Sequence, residues 1–399
     1  MKKPFLALFL LSATAAWAQT QSDAEPAPPE MPTNLTFDTD VYFIEPKFTL
    51  SFGARGLTGT KTSFHGTGHI STSQDVGGVT GDQTPRTYHD GTVSPDGRTT
   101  VIDNGDGTTT VVPISPDGFT NTWSFTSQTQ ITSTGDLALH TYYADVVDTG
   151  PRSKDGGVSF GMEVAATRDM GKISAHFEWK LVGGLSINDI QGKLTSLQTS
   201  NITTLTDIYS LNGSVPPTAP YTAPAPAGTT ITNPDGTTTT TTNDTTTLLA
   251  QDPQSRTVTT AIDNTEVTNH FHIKGAYYTF RAGPTFIIPI TQRLRISLSG
   301  GAAVVYVGST FSVEQDFQPV TGVEVSGLEE STKINIMPGY YADADVEYAL
   351  TDRTGFYLGA VYQDTGSFKQ SINSTTAQYT TKVDLSNLQG FRMGMNVRF

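Results

Sequence analysis

From Phe391 to Phe399 the chain reads Phe-Arg-Met-Gly-Met-Asn-Val-Arg-Phe, and it ends on that Phe. Phe391, Met393, Met395, Val397 and Phe399 are apolar, while Arg392, Gly394, Asn396 and Arg398 are polar or small. A period of two sends successive side chains to opposite faces of a strand. The segment therefore predicts a strand, about 387–399, with one greasy and one wet face. Such a strand constrains the whole chain, because its greasy face must be covered and its backbone edges paired.

The same alternation recurs along the chain. It predicts strands near 47–57 (Phe48, Leu50, Phe52, Ala54), 157–168 (Val158, Phe160, Met162, Val164) and 172–188 (Ile173, Phe177, Trp179, Leu181, Leu185). Further strands are predicted near 273–289, 294–311, 334–350 and 354–365. Pro284 cannot donate to a ladder, so it predicts a bulge or a break in pairing. Short turns are expected at 169–171, 291–293 and 351–353, and long connections at 58–156, 189–272, 312–333 and 366–386. Abundant Gly and Thr suit strands and turns. There is no Cys, hence no thiol chemistry. A net charge of −14 argues against nucleic acid as a partner.

The N-terminus carries Lys2 and Lys3, an apolar stretch from Phe5 to Leu11, and Ala16-Trp17-Ala18 before Gln19. That is the pattern of a secretory signal peptide cleaved near Ala18. Residues 19–46 are Pro-rich and acidic and read as a flexible periplasmic leader. No later run is apolar enough to cross a bilayer as a helix, whereas alternation spreads apolar residues as a barrel requires.

Signal peptide, alternating strands and terminal aromatic strand together resemble small bacterial outer-membrane β-barrels of the OmpA and OmpX type, with enlarged surface loops. The resemblance implies an all-β, antiparallel, up-and-down transmembrane barrel spanning 47–399 in a Gram-negative outer membrane. It also implies outer-membrane lipids as surroundings and recognition of Phe391, Met393, Met395, Val397 and Phe399 by the barrel assembly machinery. Short turns belong on the periplasmic side, and with both ends there the count is eight strands. A strand-like stretch at 119–147 (Trp123, Phe125, Ile131, Leu137, Leu139) is assigned to a hairpin inside the first insert. Two more spanning strands would make ten. A monomer is expected, and no domain that binds the cell wall.

The wet faces are ionic: Arg55, Glu163, His176, Glu178, Lys180, Arg281, Arg295, Asp343, Asp345, Glu347, Arg392 and Arg398 all point inward on this phasing. Buried charges must be paired, so these predict a network filling the lumen. Arg295 with Glu347, and Arg55 with Glu163, are candidate pairs on neighbouring strands. A narrow charged pore would use the same residue types.

The inserts, about 58–156 and 189–272, hold repeated turn units: Ser94-Pro95-Asp96-Gly97, Asn104-Gly105-Asp106-Gly107, Ser115-Pro116-Asp117-Gly118 and Asn233-Pro234-Asp235-Gly236. Each presets a β-turn, so short hairpins are expected. Asp103, Asn104 and Asp106 lack EF-hand spacing and read as a turn rather than a Ca²⁺ loop. His270-Phe271-His272 reads as a strand end rather than a metal pair. Ser174-Ala175-His176 holds, in reversed order, the residue types that lipid A deacylases use. No catalytic residue, metal or cofactor is expected. The reading is a structural or surface-interaction role: membrane integrity, adhesion or shielding through loops whose ligand is unknown. The alternatives are a narrow channel for small solutes or, further off, a lipid A-modifying enzyme.

Overall fold

The computed structural model describes residues 47–73, 76–80, 85–174, 177–223, 230–232, 238–240 and 247–399. The signal peptide (1–18) and leader (19–46) expected from the sequence lie outside them, as does His176. Among the described residues the chain is all-β apart from one turn of 3₁₀ helix at Gln128–Gln130. No described helix is long and apolar enough to cross a membrane.

Twelve strands build the main sheet: β1 (Phe48–Thr58), β2 (Lys61–Ser71), β3 (Leu137–Val146), β4 (Ser159–Ser174), β5 (Phe177–Tyr209), β6 (Ser255–Pro289), β7 (Leu294–Val320), β8 (Val323–Ala349), β9 (Thr354–Asp364), β10 (Ser367–Asn373), β11 (Ala377–Asp384) and β12 (Leu388–Arg398). A short strand, Arg152–Asp155, pairs with β2. Antiparallel pairings run β1–β4–β5–β6–β7–β8–β9–β12, and β12 pairs back onto β1. Eight strands thus form a closed cycle of ladders, which leaves no free edge in that ring.

The strands are longer than the alternation of outward apolar residues predicted. β5 has 33 residues and β6 has 35, up to about 115 Å if fully extended. Much of 189–272, and nearly all of 312–333, is therefore ladder rather than loop; β7 and β8 turn at Thr321-Gly322. The cause shows in β7 as an inversion of polarity along the strand. In β7, Leu298, Val304 and Tyr306 are exposed; farther on, Val307, Phe311, Val313 and Phe317 are buried instead. The period of two continues, but the greasy face changes sides.

Above that inversion the sheet opens. β3 pairs with the far end of β5, β2 pairs with β3 and β11, and β11 pairs with β10. The expected hairpin at 119–147 does not form. Trp123–Phe125 joins a small sheet with Gly91–Val93 and Tyr221–Thr222, while Leu137–Val146 joins the wall as β3. Thr99–Asp103 pairs with Thr109–Pro113 around Asn104–Gly107, and Thr230–Thr232 pairs with Thr238–Thr240, the Asn233–Gly236 turn itself lying outside the described residues.

Of two local expectations, one is corrected and the other is met as a break in pairing. The turn after β4 is not at 169–171: the strand continues to Ser174, with ladder irregularities flanking Gly171, whose φ is +112°. Pro284 causes no bulge. It stays in register with Leu181, and only its ladder to β7 lapses, between Ala282↔Ala302 and Thr285↔Ser299.

Candidate functional site: the filled interior and the structure above it

The inward positions of the ring converge on one ionic layer. Glu163 of β4 accepts from Arg392 Nε at 2.8 Å and from the Tyr357 hydroxyl at 2.8 Å. Its other oxygen lies 3.5 Å from Arg281 Nη2. Asp343 bonds Arg392 Nη1 at 2.6 Å and also Arg281, and Asp345 lies 3.4 Å from Arg392. Arg281 stacks over Tyr341 at 5.2 Å and Arg392 over Tyr357 at 5.0 Å. Arg55 bonds Ser186 at 2.7 Å and Gln363 at 2.9 Å; Gln363 passes on to Thr279 at 3.2 Å. All six charged side chains are buried. Three guanidinium groups (Arg55, Arg281, Arg392) face three carboxylates (Glu163, Asp343, Asp345), so the formal charges cancel, the condition under which buried ions are tolerated. Small neighbours make the space: a Cβ on Gly53 would strike the Tyr357 hydroxyl.

The pairing differs in detail from the sequence expectation. Arg55 does not reach Glu163, which is taken by Arg281 and Arg392. Arg295 stands opposite Glu347 in the ladder, yet Glu347 bonds Asn396 at 3.4 Å and lies 3.7 Å from Arg398. That pair and Lys180 with Asp169, at 3.6 Å, sit near the end of the ring that carries the turns at 290–293 and 350–353. Glu178 and Arg295 are half-buried.

Above the ionic layer the interior becomes apolar. Leu57, Phe64, Ile190, Phe271, Ile273, Val305, Val307, Phe311, Val313, Met337, Phe368, Ile372, Tyr379 and Val383 form one buried cluster. Phe64 of β2 stacks on Phe271 at 5.3 Å and Phe311 at 5.9 Å. Asn269 bonds the Tyr379 hydroxyl at 3.1 Å, and Gln370 bonds Ser309 at 2.8 Å and the Ser331 carbonyl at 2.6 Å. β2, β11 and β10 thereby close the interior with packed side chains.

A second core, around Trp123, Phe125, Leu137, Leu139, Tyr209 and Leu249, holds the far end together. Buried Asp207 there accepts from Arg256 at 2.7 Å through both Nε and Nη2 and from the Tyr88 hydroxyl, which lies 2.8 Å from that of Tyr209. Burial pushes the Tyr88 hydroxyl well up and that of Tyr209 to about 12, so both stay protonated donors. Two of the repeated turns share one cation: Arg98 bonds Asp96 at 2.9 Å and Asp117 at 2.5 Å. The sequence offered the Asp residues of these turns but not Arg98 as the link. Asp103 and Asp106 spend their carboxylates on the amides of Gly105 and Thr108, both at 2.9 Å, as turn residues do. His270 bonds Thr195 at 3.0 Å and lies 3.0 Å from Asp316, away from any partnership with His272. His140 is fixed by Asp90 through both its backbone N–H (2.8 Å) and its ring (2.7 Å), a contact the sequence reading missed.

No protein-family model and no curated protein matches this sequence. Among solved structures the chain is similar to the outer membrane protease OmpT from Escherichia coli, at 7% identity and a TM-score of 0.29, over 89% of this chain and 98% of that one. It is similar to Ail, the attachment invasion locus protein of Yersinia pestis, at 8% identity and a TM-score of 0.20, over 89% and 100%. A Pseudomonas aeruginosa FadL homologue follows at 7% identity and a TM-score of 0.18, over 88% and 90%. Superpositions this loose leave function to be argued from the chain's own geometry.

Proposed function

We propose that this chain is an eight-stranded β-barrel of a Gram-negative outer membrane, with a sealed lumen and a structural or surface-interaction role carried by the β-structure above the bilayer. One observation carries the reading: the polarity of the ring is the reverse of a water-soluble protein's. Phe52, Met162, Leu185, Phe280, Leu298, Val346, Leu358 and Met395 stand exposed around it, Met162 at 71%, while arginines and carboxylates lie buried within. Exposed apolar belts of that extent call for lipid. Tyr278 packs beside Tyr306 at 6.3 Å and Tyr340 beside Tyr362 at 6.1 Å, a girdle of the kind that sits at a membrane interface.

The filled interior favours the sealed reading over a channel. Solute crossing the ring has to displace both the neutral ionic layer and the apolar core above it. The alternating terminal strand supports insertion by the barrel assembly machinery.

The test is expression of the full chain in a Gram-negative host. A heat-modifiable band in the outer-membrane fraction is expected. On intact cells a membrane-impermeant thiol reagent should label Leu328→Cys in the extension but not Gln292→Cys in a short turn. Labelling of both to the same degree, or a soluble product, contradicts the proposal.

A further inference from the structure

The ladder between β6 and β7 ends at Val267↔Phe317, and the register of β6 with β5 shifts between Gln198 and Ser200. Asp263 holds the kink, accepting from the Thr265 amide at 2.5 Å, the Thr265 hydroxyl at 2.7 Å and the Glu266 amide at 3.1 Å. Beyond it, Ser255–Asp263 pairs with β5 alone, so among the described residues its other edge carries no ladder. That edge reads Thr257-Val258-Thr259-Thr260-Ala261-Ile262, with Val258 exposed at 54% and Ile262 at 74%. Natural sheets blunt such edges with lysine, proline or bulges. None of these interrupts Thr257–Ile262, although the adjoining register shift leaves the edge without a ladder among the described residues.

We propose that this edge docks onto the same edge of a second copy of the chain, antiparallel and centred on Thr260. A two-fold axis through the sheet keeps residues of equal parity opposite one another. Centred on Thr260, it sets Val258 against Ile262, Thr259 against Ala261 and Thr257 against Asp263. The single charge in that register meets a threonine, so no like charges face each other in a chain of net charge −14. Arg256 stays out of the contact, committed to Asp207 at 2.7 Å. The fit is self-complementary, and that is the argument for a second copy rather than an unrelated peptide strand.

The symmetry also sets the geometry. β6 runs from its bare end down into the ring, and an antiparallel partner runs the opposite way, so the two copies meet head to head. From Tyr278 to Asp263 is 15 residues, up to about 50 Å of strand above the girdle. This part of the inference rests on the membrane reading above and makes the contact one between copies in facing membranes.

The chain has no cysteine, so Thr260→Cys supplies a single thiol that the two-fold places opposite its counterpart, within reach of a disulfide. The experiment uses the full mature chain, refolded in detergent, with heat-shifted gel mobility verifying each variant. Mild oxidation should give a covalent dimer of Thr260→Cys, while Leu328→Cys, exposed at 67% on another ladder, stays monomeric. In phospholipid vesicles the wild type should tether vesicles to one another. Thr260→Lys and Thr260→Glu should each abolish tethering, and mixing the two vesicle populations should restore it. A folded Thr260→Cys that does not cross-link, equal cross-linking at 328, or undiminished tethering by Thr260→Lys overturns the proposal. Specific cross-linking by a protein that neither shifts on heating nor enters vesicles upholds the edge contact and refutes the membrane reading instead.

Discussion

The ring and the extension above it are built from the same strands, yet they are inside-out relative to each other. In the ring, β7 exposes Leu298 and Val304 and buries Ser297; in the extension it buries Phe311 and Val313. On the membrane reading proposed above, the ring satisfies its interior with ion pairs because its exterior has claimed the apolar residues, whereas the extension fills its interior with apolar side chains because water lies outside. One uninterrupted ladder can therefore serve two solvents, provided the greasy face changes sides where the solvent changes.

The largest effect should come from the ionic layer. Arg392→Met leaves Glu163 and Asp343 with Arg281 as their one close guanidinium and takes from Asp345 its contact with Arg392, and stripping a buried ion pair of one member costs about 3–5 kcal/mol. The midpoint of the heat-induced gel shift should fall steeply; an unchanged midpoint would show the layer to be hydrated. Next comes the outer face. Met395→Lys in the belt should cost about 2–4 kcal/mol in vesicles, while Ser312→Lys, on the outward face of β7 beyond the girdle, should cost almost nothing. Equal costs would erase the distinction between the two regions. Third, Glu347→Gln at the partly covered rim should cost less than the ionic layer does, about 1 kcal/mol in urea titrations, because its contacts at 3.4 and 3.7 Å are long.

The smallest effect is a pH dependence. Burial first, then Lys193 and Lys274, hold the His272 imidazole below its ordinary value of 6.5. A depressed histidine gives stability that is present above about pH 6.5 and lost as pH falls below it, because the unfolded chain takes up the proton first. His272→Gln should flatten that slope in melts of the extension while leaving the ring transition untouched.

How much of this was legible follows from the same inversion. Strands such as Phe356–Tyr362 and the terminal strand could be read because an outward apolar row alternates cleanly. The extension could not, because Ser312, Glu314 and Asp316 took the outward positions and the row of apolar residues seemed to stop, although Phe311, Val313 and Phe317 kept the period. Arg55, Glu163 and Arg392 were visible as inward charges. Their partners were not, since Arg55 meets Gln363 across 308 residues of chain and only the register of the closed ladder decides which charges share a height. Asp169-Met170-Gly171 carries turn residues, but Gly171 absorbs its strained φ within the strand and the ladder continues past it. The bare edge of β6 was hidden because nothing local marks where β7 leaves it.

The central claim, that the ring presents a closed ionic interior to the membrane, is tested most directly by single-channel recording. The mature chain, verified as folded by heat-shifted mobility, would be inserted into planar bilayers. A silent protein is expected, with stepwise current appearing only when the packing is opened, as in the double variant Phe64→Ala with Arg392→Ala. Steady conductance from the unaltered chain that changes when Glu163 is replaced by Gln would contradict it and make the ionic layer the lining of an open pore.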